Sequence, residues 1–227
     1  MPPTDRFVIS FAAEPPQQSL PHGRWADVLR EQFLAACADI DSDDEEIGEP
    51  GEIRWFPDRT FYARTYVPAV ARTDIGYEVF GYVSFTDAGE GPEDFEARAD
   101  FTGDVAEANP DWQLDLNEMV LGSWRGEAGS RAEMTLVWGM PLISGGALVT
   151  AELADHAVDQ CELVDQRFTL VAPDNYRGEY LDIKLWGRSG DQLAVESLYA
   201  EEEDEETSGP AVDPDAPDAP PGEAPAP

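Results

Sequence analysis

Lysine is almost missing from this chain, and histidine and cysteine are scarce. Lys184 is the single lysine; with 13 arginines it faces 48 acidic residues, for a formal net charge of −34. Binding to phosphate backbones needs Lys and Arg and gains from counterion release, so a surface of this sign disfavours nucleic acid and anionic membranes as partners. The only histidines are His22 and His156, too few to build a Ser-His-Asp triad with confidence in any one place. Cys37 and Cys161 stand far apart and match no metal-ligand spacing. Residues 1–6 lack a basic region followed by an apolar run, so the expectation is two reduced thiols in the cytoplasm. Neither phosphate-cradling glycine pattern, G-x-x-x-x-G-K-[ST] or G-x-G-x-x-G, occurs, nor does G-x-S-x-G, and no cofactor is expected.

Long hydrophobic runs are nearly absent too. Residues 134–151 carry no charge, close to the length of a membrane span. Gly139, Pro141, Gly145 and Gly146 interrupt the run, so it reads as two buried strands joined by a loop.

What is present is a core. Hydrophobic residues make up 42% of the chain, enough for a packed domain. Ten of the acids and none of the bases lie past residue 200, which leaves 38 acids against 14 bases before it. Residues 1–200 are therefore expected to form one β-rich domain, and residues 201–227 a disordered acidic tail rich in Pro and Ala. Acidity in the body itself suits basic protein partners, cations, high salt or simple solubility.

Trp25, Val28, Leu29, Phe33, Ala36, Cys37 and Ile40 recur at three- and four-residue intervals, which predicts one amphipathic helix over 24–40. A strand is expected over 6–13. Beyond residue 52 the pattern is alternating almost throughout. Pairing Phe85 with Phe95 sets Tyr82 opposite Arg98, an aromatic-to-guanidinium contact on an outer face. The segment Pro57-Asp58-Arg59 reads as a turn. Residues 178–200 give the clearest hairpin: Arg188-Ser189-Gly190 forms a three-residue loop, with Gly190 at the left-handed position. Alternation pairs Leu185 with Leu193 and Ile183 with Val195. On the outer face of that hairpin Lys184 is expected to join Asp182 and Glu196 in a wet salt-bridge cluster. The fold class that follows is mainly β, an antiparallel sandwich or barrel of about a dozen strands with one N-terminal helix.

Candidate chemistry is thin. His156 has Asp155, Asp159, Cys161 and Glu162 nearby in sequence. Alternation along one strand puts Asp155, Asp159 and Cys161 on one face and His156 with Glu162 on the other. That leaves His156 with a carboxylate as an acid-base or metal candidate. Asp41, Asp43, Glu45 and Glu52 fall at ligand positions of a calcium loop, but Glu46 stands where the loop needs glycine. A solvated acidic loop is the expectation there.

Gly122-Ser123-Trp124 resembles the Gly-x-Trp element of small ligand-binding barrels of the lipocalin and streptavidin kind, although those families place it near their start. The likeness covers a few residues and implies an apolar, aromatic-lined cavity as the alternative reading. The principal expectation is a non-catalytic cytoplasmic accessory or structural protein that assembles with itself or with other proteins. Trp55, Phe56, Tyr66, Trp124, Trp138, Tyr180 and Trp186 are the aromatic candidates for a ligand or partner surface.

Overall fold

The computed structural model describes residues 24–43, 45–87, 91–125, 131–176 and 178–198. The strand expected over 6–13 and the tail over 201–227 lie outside them. Helix α1 (Arg24–Ala38) comes first, and every later element is a strand: β1 (Pro50–Trp55), β2 (Arg59–Phe61), β3 (Arg64–Thr73), β4 (Glu78–Asp87), β5 (Pro92–Thr102), β6 (Leu114–Arg125), β7 (Arg131–Pro141), β8 (Gly146–Leu153), β9 (His156–Glu162), β10 (Phe168–Asp174), β11 (Leu181–Gly187) and β12 (Gln192–Ser197). The expected class is therefore the observed one.

The strands form three antiparallel sheets. The first runs β1-β3-β4-β5 with β2 added to β3, the second β10-β7-β6, and the third β12-β11-β8-β9. They are separate ladders that stack as in a sandwich, so the barrel alternative falls.

The apolar pattern of each strand explains the stacking. The first sheet buries Val67, Ala69, Ala71, Val79 and Val83 under Leu29, Phe33 and Cys37 of the helix. Its opposite face carries Val70 and Tyr82, which meet Met134, Leu136, Trp138 and Val171 of the second sheet. The second sheet turns Val137, Phe168, Leu170 and Ala172 the other way, onto Val149, Ala151, Ile183 and Leu185 of the third. A strand covered on both faces cannot alternate with charge. β10 is accordingly buried at every position, and β7 at most of them. That is the physical reason residues 134–141 are uncharged.

Phe85 does stack near Phe95, with ring centroids 5.6 Å apart, and Tyr82 does pair with Arg98. The face is not an outer one, however: Tyr82 is 5% exposed and belongs to the core between the first two sheets.

The β11–β12 hairpin corrects the expected register. The loop is as read: Gly187 N donates to Asp191 O at 2.9 Å, and Gly190 sits at φ 88°. Trp186 pairs with Gln192, but Leu185 then pairs with Ala194 and Ile183 with Glu196. One extra residue, Leu193, bulges out of the ladder and reverses the alternation beyond it. Ala194 and Leu198 thereby reach the core, and Val195 is left 43% exposed on an edge strand.

Pro57-Asp58-Arg59 is not a turn either. Phe56, Asp58 and Arg59 are 1%, 8% and 2% exposed, and the segment carries Arg59 into the interior. The true turn follows β2. It is Tyr62-Ala63, with φ of 50° and 59°. Ala154-Asp155 between β8 and β9, and Asp165-Gln166 between the bridged pair Val164 and Arg167, turn the same way. Each is a two-residue hairpin loop in left-handed backbone without the usual Asn or Gly.

Candidate functional site

The aromatic candidates do not form one surface. Phe56, Trp138 and Trp186 are 1%, 0% and 7% exposed and fill the interior. Trp55 packs edge-on against Phe33 of the helix at 5.9 Å, Tyr66 against Tyr82 at 5.4 Å, and Trp124 against Tyr176 at 5.8 Å. Tyr180 alone lines a concavity, an open cleft of about 490 Å³ with Asp155, Glu179, Asp182 and Ser197.

His156 opens β9, exposed, opposite Leu153. The register steps from Ala151–Asp159 to Glu152–Ala157, so a bulge at Val158 interrupts the alternation expected from residue 155 to 162. Asp159 and Cys161 point inward, Asp155 sits in the turn, and His156 is joined to none of them. Burial pushes the Cys161 thiol up to about 12 and the Cys37 thiol up to about 11, so both are protonated at neutral pH.

The acidic loop is committed elsewhere. Asp41 accepts from the Asp43 backbone N–H at 3.4 Å, Glu45 accepts from the Tyr77 hydroxyl, and Glu52 lies exposed on β1. Among the described residues no group of three or more His, Cys, Asp or Glu side chains is arranged to hold a metal ion.

Sequence reasoning missed four polar constellations, because each joins residues far apart in the chain. The deepest is Arg59 with Asp159, an ion pair whose side chains are each 2% exposed. Asp159 also accepts the Val171 N–H at 2.9 Å and the Gln160 N–H at 2.8 Å. Burial pushes its carboxyl up, while Arg59 and the two N–H groups pull it back. The carboxylate thus stands at the outer edge of β10, where a neighbouring strand would otherwise bond.

On the third sheet's outer face, Lys184 Nζ donates to Glu152 Oε2 at 2.9 Å. Thr150 Oγ1 donates to Glu152 Oε1 at 3.0 Å and accepts from Trp186 Nε1 at 2.8 Å. Glu152, not Glu196, is therefore the main partner of the one lysine. It is 3% exposed, so the pair is sheltered rather than wet.

The other two constellations lie on opposite faces of β6 and its ladder neighbours. Toward the first sheet stand Asp115 and Asn117, near Glu78, Arg54 and Arg72. Burial first, then the Asp115 charge, raises Glu78 above the usual carboxyl range, against Arg54, Arg72 and a hydrogen bond from Asn117. Asp115 is raised by burial too, with Arg54 and Arg72 opposing. Arg54 itself spends one N–H on the Met140 thioether, at 3.2 Å.

Toward the third sheet stand Glu118 on β6, Glu133 on β7 and Asp174 on β10. Glu118 reaches solvent, yet its carboxyl is pushed up to about 7, by desolvation first and then by Asp174 and Glu133. Among the described residues no Lys, Arg or His lies within ion-pair distance of these three.

Among the described residues no helix is long and apolar enough to cross a membrane. No family model, no curated protein and no solved structure matches the chain.

Proposed function

We propose that the chain is a non-catalytic cytoplasmic accessory or structural protein that assembles with itself or with other proteins. The observation that carries this reading is the outer edge of β6. The strand is 12 residues long, ends its sheet, and no described strand pairs with that edge. Val120 on it is 45% exposed. A strand edge presents a row of N–H and C=O groups that a strand from another chain can complete. The other long edge, β5, is treated differently. The helix packs on it, and Arg64 binds Asp94 at 2.8 Å and Glu96 at 3.4 Å, so two of its acids are matched from within.

The interior supports the same reading. Trp138, Phe56 and Leu136 pack in the core between the first two sheets and Phe168 in the core between the second and third, each 0–1% exposed. Light scattering on the full chain across a concentration series, together with identification of proteins co-eluting from native extract, tests the proposal. A mass above 24.9 kDa, or a stoichiometric partner, is expected. A monomer at every concentration that retains no protein overturns it.

The alternative, a small-molecule binder or enzyme, draws on one observation: the buried Glu78 and the half-buried Asp115 beside Arg54 and Arg72. It predicts saturable quenching of tryptophan fluorescence, Trp138 lying next to Asn117 in the ladder.

A further inference from the structure

Three buried polar atoms of the middle sheet lack a hydrogen-bond partner among the described residues: Trp138 Nε1 and Thr169 Oγ1 on the face toward the first sheet, and Thr135 Oγ1 on the face toward the third. Thr135 in β7 is 2% exposed, and its Oγ1 has no hydrogen-bond partner. A buried hydroxyl without a partner loses its bonds to water and gains none in return, so threonine is an unfavourable choice where valine fits the same space. Its ladder neighbours are Val120 on β6 and Ala172 on β10. One step along the ladder, Glu118 stands opposite Val137; one step the other way, Glu133 stands opposite Asp174. Strand alternation puts Thr135, Glu118, Glu133 and Asp174 on the same face. Arg131 of β7 shares this face by the same alternation, but among the described residues no base lies within ion-pair distance of the three carboxylates. Asp174 already accepts the Leu181 N–H at 2.9 Å. Glu118 and Glu133 are thus the carboxylates with no ion pair beside the buried Thr135 hydroxyl, at the end of the sheet whose edge is open.

We infer that this face receives an arginine side chain, carried by a strand of a partner protein that adds to the outer edge of β6. The inference rests on the assembly reading above and gives the partner its chemistry. A strand laid along β6 places every second side chain beside Glu118 and Val120 on this face. A guanidinium presents its donors as a planar fork, so one group can bond two carboxylates and a hydroxyl at once. A metal ion is the poorer guest, because these side chains are not arranged to hold one. Val120, exposed between the two acidic positions, offers the apolar contact for the valine or isoleucine next to that arginine.

The test uses the full chain and two blocked pentapeptides, Val-Arg-Val-Arg-Val and the same peptide with norleucine for both arginines. Calorimetry reads affinity, and amide hydrogen exchange reads protection of residues 116–123. The arginine peptide is expected to bind at least ~10-fold more tightly than the norleucine peptide, as charge-assisted bonds require, and to protect those amides. Glu118→Gln with Glu133→Gln is expected to remove that preference. Thr135→Val is expected to weaken binding several-fold (~3- to 5-fold, one neutral bond's share) while its unfolding curve stays cooperative.

Equal binding of the two peptides overturns the inference, as does unchanged affinity in the double variant. So does full protection of residues 116–123 in the isolated chain, which means the edge is already covered. If light scattering shows an assembly that survives the double variant, the assembly reading stands and the arginine receptor falls. If the chain is monomeric and retains no partner but binds the peptide as described, the receptor stands alone.

Discussion

The middle sheet carries two acidic groups back to back, and they are built on opposite terms. On the face toward the first sheet, Glu78 and Asp115 are half-buried or buried beside Arg54, Arg72 and Asn117. On the face toward the third, Glu118, Glu133 and Asp174 have no ion pair among the described residues; Asp174 accepts the Leu181 N–H, and the Thr135 hydroxyl beside them has no partner. Asp115 and Glu118 are three residues apart on one strand, so composition and location are nearly the same. What differs is the source of countercharge. Interior acids in this protein are matched from within, and the Arg59–Asp159 pair is the extreme case. The acids by the open edge have no ion pair among the described residues. A chain with 48 acids and 14 bases cannot match them all, and where it leaves them unmatched is informative.

Breaking the most fully matched pair is expected to have the largest effect. Arg59→Ala leaves the Asp159 carboxylate buried without its countercharge, held only by two backbone N–H groups, and should cost about 3–5 kcal/mol in urea unfolding. Arg59→Met combined with Asp159→Leu should recover much of that loss, since the desolvation cost goes with the charges. A single variant as stable as the wild type would show that the pair is not closed as described.

The next contrast runs in opposite directions on the two faces. Thr135→Val removes the orphan hydroxyl and is expected to stabilise the chain by about 1 kcal/mol, although it weakens peptide binding. Asn117→Ala on the other face removes the hydrogen bond that opposes the rise of Glu78, and should destabilise by about 1 kcal/mol. If both variants shift the unfolding midpoint the same way, the distinction between the faces fails.

A pH series sharpens the comparison. Glu118 has its folded value raised from 4.5 to about 7, so the folded state holds more protons than the unfolded state between those values. Stability contributed through Glu118 is therefore present in acid and lost as pH rises from about 4.5 to about 7. Glu78 and Asp115 push in the same direction, so the informative quantity is the difference between wild type and Glu118→Gln. The variant should lose less stability over that range. Parallel curves would show that Glu118 is not held among like charges.

The smallest effect is expected at the edges themselves. Val120→Lys and Val195→Lys should each change stability within about 0.5 kcal/mol, as exposed positions do. Only Val120→Lys should reduce assembly, read by light scattering.

Most of the architecture was legible because its signals are local. The helix shows its stripe from Trp25 to Cys37, and the strands flanking residues 126–130 show theirs. The uncharged run over 134–151 proved to be β7 and β8, for the stated reason that glycine and proline interrupt it. Local signals failed where one residue shifts a ladder. Leu193 and Val158 are bulges with no special side chain, and each reverses which face the following residues take. Pro57-Asp58-Arg59 has turn composition but is held inside by the ion pair at residue 159, a hundred positions away. The site was less legible still. Glu118, Thr135 and Asp174 meet only through two strand registers, and in a chain so rich in acids no single carboxylate draws notice.

The three left-handed hairpin loops bear on how this chain folds. Tyr62-Ala63, Ala154-Asp155 and Asp165-Gln166 take left-handed backbone angles that the Tyr, Ala and Gln side chains resist. Loops of that kind do not form first and draw their strands together; the strands have to meet and force the loop. Folding then waits on long-range pairing, the slow regime for β proteins. Ala63→Gly removes the resistance at one loop, and it should slow unfolding more than it speeds refolding, since the loop closes after the rate-limiting step. Stopped-flow rates in both directions check this, and a gain confined to the refolding rate would place the loop at the start instead.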